Sequence, residues 1–190
     1  TQVRADPLAC WDYLEPPVRA YYAKRVCLVG AESTGKTTLA EALAAHYESV
    51  WVPEFGREYS EQKLAADGAY HWRAEEFVTI ASTQSRREEE AARRANRLLI
   101  CDTDAFTTSI WHRRYLGERS PEVEAVAAGS RRPDLYLLTD IETPFVQDGT
   151  RDGELIRRWM HETLVEELDA RGREYVEIAG THQERLRAAI

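Results

Sequence analysis

Five short apolar runs punctuate the chain, and amphipathic stretches separate them. The runs are Arg25-Val26-Cys27-Leu28-Val29, Val50-Trp51-Val52, Leu98-Leu99-Ile100-Cys101, Asp134 to Leu138, and Tyr175-Val176-Glu177-Ile178. Their continuous apolar character suits strands of a parallel sheet covered on both faces. Between them, apolar residues recur at helical spacing. Leu39, Ala40, Leu43, Ala44 and Tyr47 mark one helix, and a second is predicted over 57–67, stopped at Gly68. A long one is predicted from Arg73 to Ala95, with Ala74, Phe77, Val78 and Ala81 as its stripe and Asn96 at its end. Others run from about 105 to Gly117, from Ser120-Pro121-Glu122 to Gly129, and along Leu155, Ile156, Trp159, Met160, Thr163, Leu164 and Leu168 to Gly172. Thr181-His182-Gln183-Glu184 is a capping box that opens the last helix. Strands alternating with helices predict a three-layer α/β/α fold around a five-stranded parallel sheet.

Residues 1–24 lack the pattern of a core element. Pro7, Pro16 and Pro17 interrupt them, a short helix is expected around 7–14, and Trp11, Tyr13, Leu14, Tyr21 and Tyr22 offer aromatic and apolar surface. The organisation expected is an N-terminal arm or linker over 1–24 and one domain over 25–190. The charge run Arg86, Arg87, Glu88, Glu89, Glu90, Arg93 and Arg94 reads as a solvated helix face.

The first strand runs into Gly30-Ala31-Glu32-Ser33-Thr34-Gly35-Lys36-Thr37, which fits Gly-x-x-x-x-Gly-Lys-Ser/Thr, the phosphate-binding P-loop. The motif joins a strand end to a helix start. There, unpaired N–H groups and the positive end of the helix dipole favour a polyphosphate. The fold class is therefore read as that of P-loop NTPases. Residues 30–37 together with Thr38 are the candidate nucleotide-binding set. Lys36 is expected to reach the β- and γ-phosphates, and Thr37 to hold Mg²⁺.

In open α/β sheets ligands gather outside the carboxyl ends of the strands. Three more strand ends carry polar residues there. Glu54-Phe55-Gly56-Arg57-Glu58-Tyr59 follows the second strand, as a functional segment or as a solvated loop with a surface ion pair. Asp102-Thr103-Asp104 follows the third. Asp102 takes the position at which P-loop proteins bind Mg²⁺. Asp104 is either functional or a plain helix cap. Thr139-Asp140 ends the fourth strand. The segment 142–152 lacks periodicity and reads as a lid; Arg151, Arg157 and Arg158 are its arginines, with Arg151 in the irregular part and the other two read as helix-solvating. All five histidines read as isolated and surface-like.

Composition narrows the partners. The 190 residues suit one domain with a real core. Net charge is −8, from 25 basic and 33 acidic residues, which argues against nucleic acid as the main partner. No apolar run approaches the roughly 20 residues that span a bilayer, and no signal-peptide pattern is present. Cys10, Cys27 and Cys101 form no Cys-x-x-Cys pair, so buried free thiols of a cytoplasmic protein are expected.

Taken together, Gly-Ala-Glu-Ser-Thr-Gly-Lys-Thr at 30–37, Pro-Glu-Phe-Gly-Arg-Glu-Tyr at 53–59 and Cys-Asp-Thr-Asp at 101–104 resemble the ribosylnicotinamide kinase domain of the bifunctional bacterial NadR proteins. Thr1-Gln2-Val3-Arg4, Trp11-Asp12 and Pro16-Pro17-Val18-Arg19 resemble the junction after that family's adenylyltransferase domain, a covalent neighbour in a longer chain. No adenylyltransferase or DNA-binding domain is present in these 190 residues, so those activities are not carried over. The resemblance implies transfer of the γ-phosphoryl group of ATP, with Mg²⁺, to the 5′-hydroxyl of nicotinamide riboside, giving NMN. Lys36 and Arg151 are then expected at the phosphates. Glu54 accepts or orients the hydroxyl proton, with Asp104 its rival for that role or a ligand of the ribose hydroxyls. Arg57 neutralises charge near the acceptor. Phe55, Tyr59, Tyr70 and Trp72 are the aromatic candidates for a cationic pyridinium. A deoxynucleoside kinase is the neighbouring alternative. A nucleotide-dependent switch is the alternative of another class, but a GTPase switch would carry a lysine after Leu138-Thr139 and a glycine in Asp102-Thr103-Asp104-Ala105, and neither is there.

Overall fold

The computed structural model describes residues 2–67, 71–142 and 154–190. Strands β1 (Lys24–Val29), β2 (Trp51–Val52), β3 (Leu98–Asp102), β4 (Leu135–Thr139) and β5 (Tyr175–Ile178) form one sheet in the order β2-β3-β1-β4-β5. Every pairing is parallel. The helices are α1 (Gln2–Ala5), α2 (Pro16–Tyr22), α3 (Lys36–His46), α4 (Phe55–Asp67), α5 (Ala74–Ala92), α6 (Ala105–Leu116), α7 (Pro121–Gly129), α8 (Glu154–Ala170) and α9 (His182–Ala189).

Alternation along β1 explains the three layers. Cys27 and Val29 face one side, where they join Cys101, Phe106, Leu138, Met160 and Leu164 in the larger core. Leu28 faces the other, against Leu39, Leu43, Ile100, Leu137 and Ile178. A strand buried on both faces needs an unbroken apolar run, and that is what the sequence carries. All three cysteines are free and buried. No helix among the described residues is long and apolar enough to cross a membrane.

Several elements differ from the sequence expectation. The stretch around 7–14 is not a helix; a single 3-10 turn spans Trp11–Tyr13, between α1 and α2. Pro16 opens α2, where its missing N–H costs nothing. Residues 1–24 also contribute to the core: Trp11 is 1% exposed and its Nε1 donates to the Ala95 carbonyl at 3.1 Å. Leu14, Ala20 and Ala23 join it in the larger cluster. Helix α5 ends at Ala92, three residues early: the amides of Arg94 and Ala95 donate to the Ala91 and Ala92 carbonyls, i→i−3 bonds that tighten the end of the helix, and Arg97 then takes φ +64° while the Asn96 amide donates to Ser49 Oγ at 2.8 Å. On the charge run of α5, Glu88 is buried, while Arg86 pairs with Glu90 at 2.8 Å on the solvent side. Among the histidines, His112 is buried, with Nδ1 2.9 Å from the Glu118 carbonyl oxygen.

Because Trp11 combines full burial with a hydrogen bond, Trp11→Ala is expected to cost about 3–5 kcal/mol of stability. Urea unfolding of the variant beside the parent chain measures it.

Candidate functional site

Two glycines shape the loop between β1 and α3. Gly30 has φ +151°, and a Cβ there would lie 2.1 Å from Thr139 Oγ1. Gly35 has φ +78° and caps α3. Thr34, fully buried, fixes the loop from inside: its Oγ1 donates to the Ala31 carbonyl at 2.8 Å and lies 2.7 Å from Thr139 Oγ1. Lys36, the first residue of α3, is buried, and its ammonium crosses the loop to donate to the carbonyls of Gly30 (3.1 Å) and Ala31 (2.8 Å).

The loop meets β3 through one short contact. Thr37 Oγ1 donates to Asp102 Oδ2 at 2.6 Å. Asp102 Oδ1 is buried and has no hydrogen-bond partner among the described residues. Burial raises the Asp102 carboxyl above its ordinary value, while Lys36 and the Thr37 hydroxyl oppose the shift. A hydroxyl and an unsatisfied carboxylate oxygen side by side, next to a phosphate loop, are the donor set Mg²⁺ uses when phosphates and water supply the rest. The residues present therefore fit that ion. Among the described residues no cluster of three His, Cys, Asp or Glu side chains offers another metal centre.

Beside the loop, on the β2–β3 side, lies a cavity of about 120 Å³. Glu32, Lys36, Glu54 and Arg57 supply its charged groups; Trp72, Phe77, Trp111 and Tyr115 supply aromatic walls. The rings pack on one another, with Trp72 centred 5.0 Å from Phe77 and 5.4 Å from Tyr115. Loss of water around Glu54, assisted by the Asp102 charge, pushes its carboxyl from the ordinary 4.5 up to about 7; Lys36 and Arg57 pull the other way. Thr103, also on the cavity wall, holds a left-handed φ of +66°. Such a backbone costs on the order of 1–3 kcal/mol and is characteristic of sites held by their surroundings. A second, more open cavity of about 530 Å³ lies on the β4–β5 side, bordered by Thr34, Gly35, Thr38, Gly180, His182 and Arg185.

The structure brings Lys36, Glu32, Thr37, Asp102, Glu54 and Arg57 together and sets Asp104, Phe55 and Tyr59 apart. Asp104 is the N-cap of α6 and does not line the cavity. Its Oδ1 accepts from the Thr107 amide (2.8 Å) and hydroxyl (2.9 Å), and its Oδ2 from Tyr136 at 2.7 Å. Both oxygens thus already accept hydrogen bonds from the protein, and the side chain is buried away from the cavity, which favours the cap reading. Phe55 lies under the Arg87 guanidinium, 4.4 Å from ring centre to carbon, and Tyr59 donates to Glu76 at 3.2 Å; neither lines the cavity. Arg151 and Tyr70 lie outside the described residues. Arg157 does not solvate α8; it is buried, with Nη2 donating to the Ile141 carbonyl at 3.2 Å. Sequence reasoning missed Trp111 and Tyr115. They sit four residues apart on the helix that follows Asp102, so the signal was there as helical spacing.

A phosphate cradle at a strand–helix junction, a hydroxyl–carboxylate pair beside it and a pocket next to the cradle define a P-loop nucleotide-binding domain. The family of the AAA domain matches residues 25–185, and the chain belongs to that family. Two curated relatives are similar to it along most of its length. They are the trifunctional NAD biosynthesis/regulator proteins NadR of Escherichia coli (strain K12) and Salmonella typhimurium (strain LT2), each 30% identical over 179 residues. That is 93% of this chain but 43% of theirs, so the chain spans less than half the length of these relatives. Among solved structures, a NadR protein in complex with NR superposes with a TM-score of 0.81 at 24% identity, over 99% of this chain and 55% of that one. Thymidylate kinase from Ehrlichia chaffeensis shares the fold more distantly, with a TM-score of 0.62 at 13% identity over 88% and 99% of the two chains.

The raised Glu54 carboxyl has a consequence for stability. The folded chain holds this proton more tightly than the unfolded chain does, so stability falls as pH rises from about 4.5 to about 7. Glu54→Gln removes the effect. The variant is expected to exceed the parent by on the order of 1–3 kcal/mol at pH 8 and to match it below pH ~4. Denaturant midpoints measured across that range give the comparison.

Proposed function

We propose that this chain transfers the γ-phosphoryl group of ATP to the 5′-hydroxyl of nicotinamide riboside, yielding ADP and NMN. The observation that carries the reading is the first cavity. It sets Glu54, Lys36 and Arg57 around one space with aromatic walls, and the Thr37–Asp102 pair adjoins Lys36 on the same loop. A relative's domain at 30% identity supports it, as does the fold shared with a NadR protein bound to NR and with another bound to NAD and AMP-PNP.

Phosphoryl transfer asks the protein mainly for positioning and charge neutralisation. The amides of the loop, with the N-terminus of α3 behind them, hold the donor's phosphates. Lys36 exchanges the carbonyls of Gly30 and Ala31 for phosphate oxygens. Mg²⁺, held by Thr37 and Asp102, would neutralise charge on the β- and γ-phosphates. Glu54 takes the proton of the attacking hydroxyl as the new O–P bond forms and the bond to the ADP oxygen breaks. A carboxyl near 7 suits that task at neutral pH, since a base should titrate close to its working pH. Arg57, at the rim of the same cavity, steadies the negative charge that accumulates. Trp72, Phe77, Trp111 and Tyr115 present ring faces, which attract a cationic pyridinium. At about 120 Å³ the cavity is below the ~300 Å³ of ordinary ligand pockets, so its walls must part to admit a whole nucleoside. Arg151 is proposed as a further phosphate contact on its residue type and sequence position alone. A cytoplasmic location suits the ATP-dependent reaction.

A phosphorylation assay across nucleosides tests the reading. ATP consumption should rise sharply with nicotinamide riboside; stimulation by deoxynucleosides with none from the riboside overturns it. Lys36→Ala is expected to lower transfer on the order of 10²-fold or more, because a preorganised charge on the phosphoryl group is lost. As pH rises through about 7, kcat/KM should climb as Glu54 deprotonates, and Glu54→Gln should be slow and lack that rise.

A further inference from the structure

Arg185, on the last helix, sits behind the phosphate loop rather than in front of it. It is 4% exposed. Its Nη1 donates to the Thr34 carbonyl at 2.6 Å, its Nε to the Gly180 carbonyl at 2.7 Å, and its Nη2 to Asp140 Oδ1. Asp140, at the end of β4, is itself 5% exposed, so this is a buried ion pair. Three separate strand-end loops thus converge on one guanidinium: the P-loop, the turn after β4 and the turn after β5.

The Thr34 contact matters because of peptide geometry. The Thr34 carbonyl and the Gly35 N–H belong to one planar trans peptide unit and point in opposite directions. A donor that holds the carbonyl from behind therefore aims the Gly35 N–H forward, into the cradle. Gly35 has no Cβ and sits at φ +78°, so its own side chain does nothing to fix that peptide's tilt. The Thr34 hydroxyl, anchored to Thr139 and Ala31, pins the residue's side chain but leaves the carbonyl to Arg185. Asp140 holds the guanidinium in the one orientation that serves all three acceptors.

We propose that Arg185, oriented by Asp140, is a positioning residue for polyphosphate binding. It sets the Gly35 amide toward the phosphates from the opposite side of the peptide plane. The expected ligand is the triphosphate tail, not the base. The inference draws on the phosphotransfer reading only for the presence of a polyphosphate on the loop.

The test compares two ligands on the full chain, by calorimetry with Mg²⁺ and no acceptor: ATP, and inorganic tripolyphosphate, which has no base. The double variant Arg185→Met with Asp140→Asn removes both buried charges and so avoids stranding one of them. A hydrogen bond to a charged group of this kind corresponds to a loss on the order of tenfold or more in affinity. Affinity for both ligands should fall by the same factor. If ATP weakens and tripolyphosphate does not, Arg185 acts on the base side and the proposal is overturned; unchanged affinity for both overturns it as well. Arg185→Lys keeps a cation opposite Asp140, but its compact ammonium lacks the planar fork that reaches three separated acceptors. It should weaken both ligands too, and it carries the same comparison should the double variant not fold. Failure of the parent chain to bind either ligand would sink the phosphotransfer reading itself, which separates that failure from this one.

Discussion

The hydrogen bond from Thr37 to Asp102 joins the two parts of the molecule on which everything else depends. Thr37 belongs to the first turn of α3, and Asp102 ends β3. They meet because β3 lies beside β1 in the sheet, in a register that places Asp102 opposite Leu28, just before the loop leaves the strand. One residue of slip would turn Asp102 to the other face of the sheet, since side chains alternate along a strand. The apolar residues that fix this register, Leu99, Ile100 and Cys101, are fully buried. Core packing is thus what aims the polar pair.

The strand order then decides what flanks the phosphate loop. With β1 in the centre, β3 and β2 fall on one side and β4 and β5 on the other. The end of β2 delivers Glu54, and α4, α5 and α6 border the first cavity, with aromatic walls from Trp72, α5 and α6. The turn after β5 delivers Gly180 and the start of α9, which border the second, more open cavity. A space walled in part by aromatic rings and a more open one thus lie on opposite sides of one phosphate cradle.

Buried charge is concentrated along this edge of the sheet, and each group is handled differently. Asp104 is satisfied by Thr107 and Tyr136 and becomes a cap. Glu88 sits in the interior against Gln84, and burial together with the nearby Asp104 lifts its carboxyl to about 8. Arg185 and Asp140 pair. An ion pair sealed in this way is weak evidence for stability, since desolvation offsets much of the attraction. What it does supply is orientation, at the place where three loops must hold fixed positions around a ligand.

The order of strands and helices, the P-loop and the acidic end of β3 were legible in the sequence because they are local. A parallel strand needs a continuous apolar run, a phosphate loop needs glycines at fixed spacing, and a cap needs an oxygen at the helix start. Each signal fits within about ten residues. Even the capping role of Asp104 was in view as one of its two readings. What sequence could not decide was which of several carboxylates, arginines and aromatics face one another across the sheet. Glu54 and Asp104 look alike along the chain, yet one borders a cavity and the other is enclosed by hydroxyls. Phe55 and Tyr59 lie within five residues of Glu54 and still do not line the cavity, while Trp111 and Tyr115 come from a helix more than fifty residues on. Trp11 seemed to belong to an arm and lies in the core. Such outcomes depend on the packing of elements distant in sequence, and only the tertiary fold brings those surfaces together.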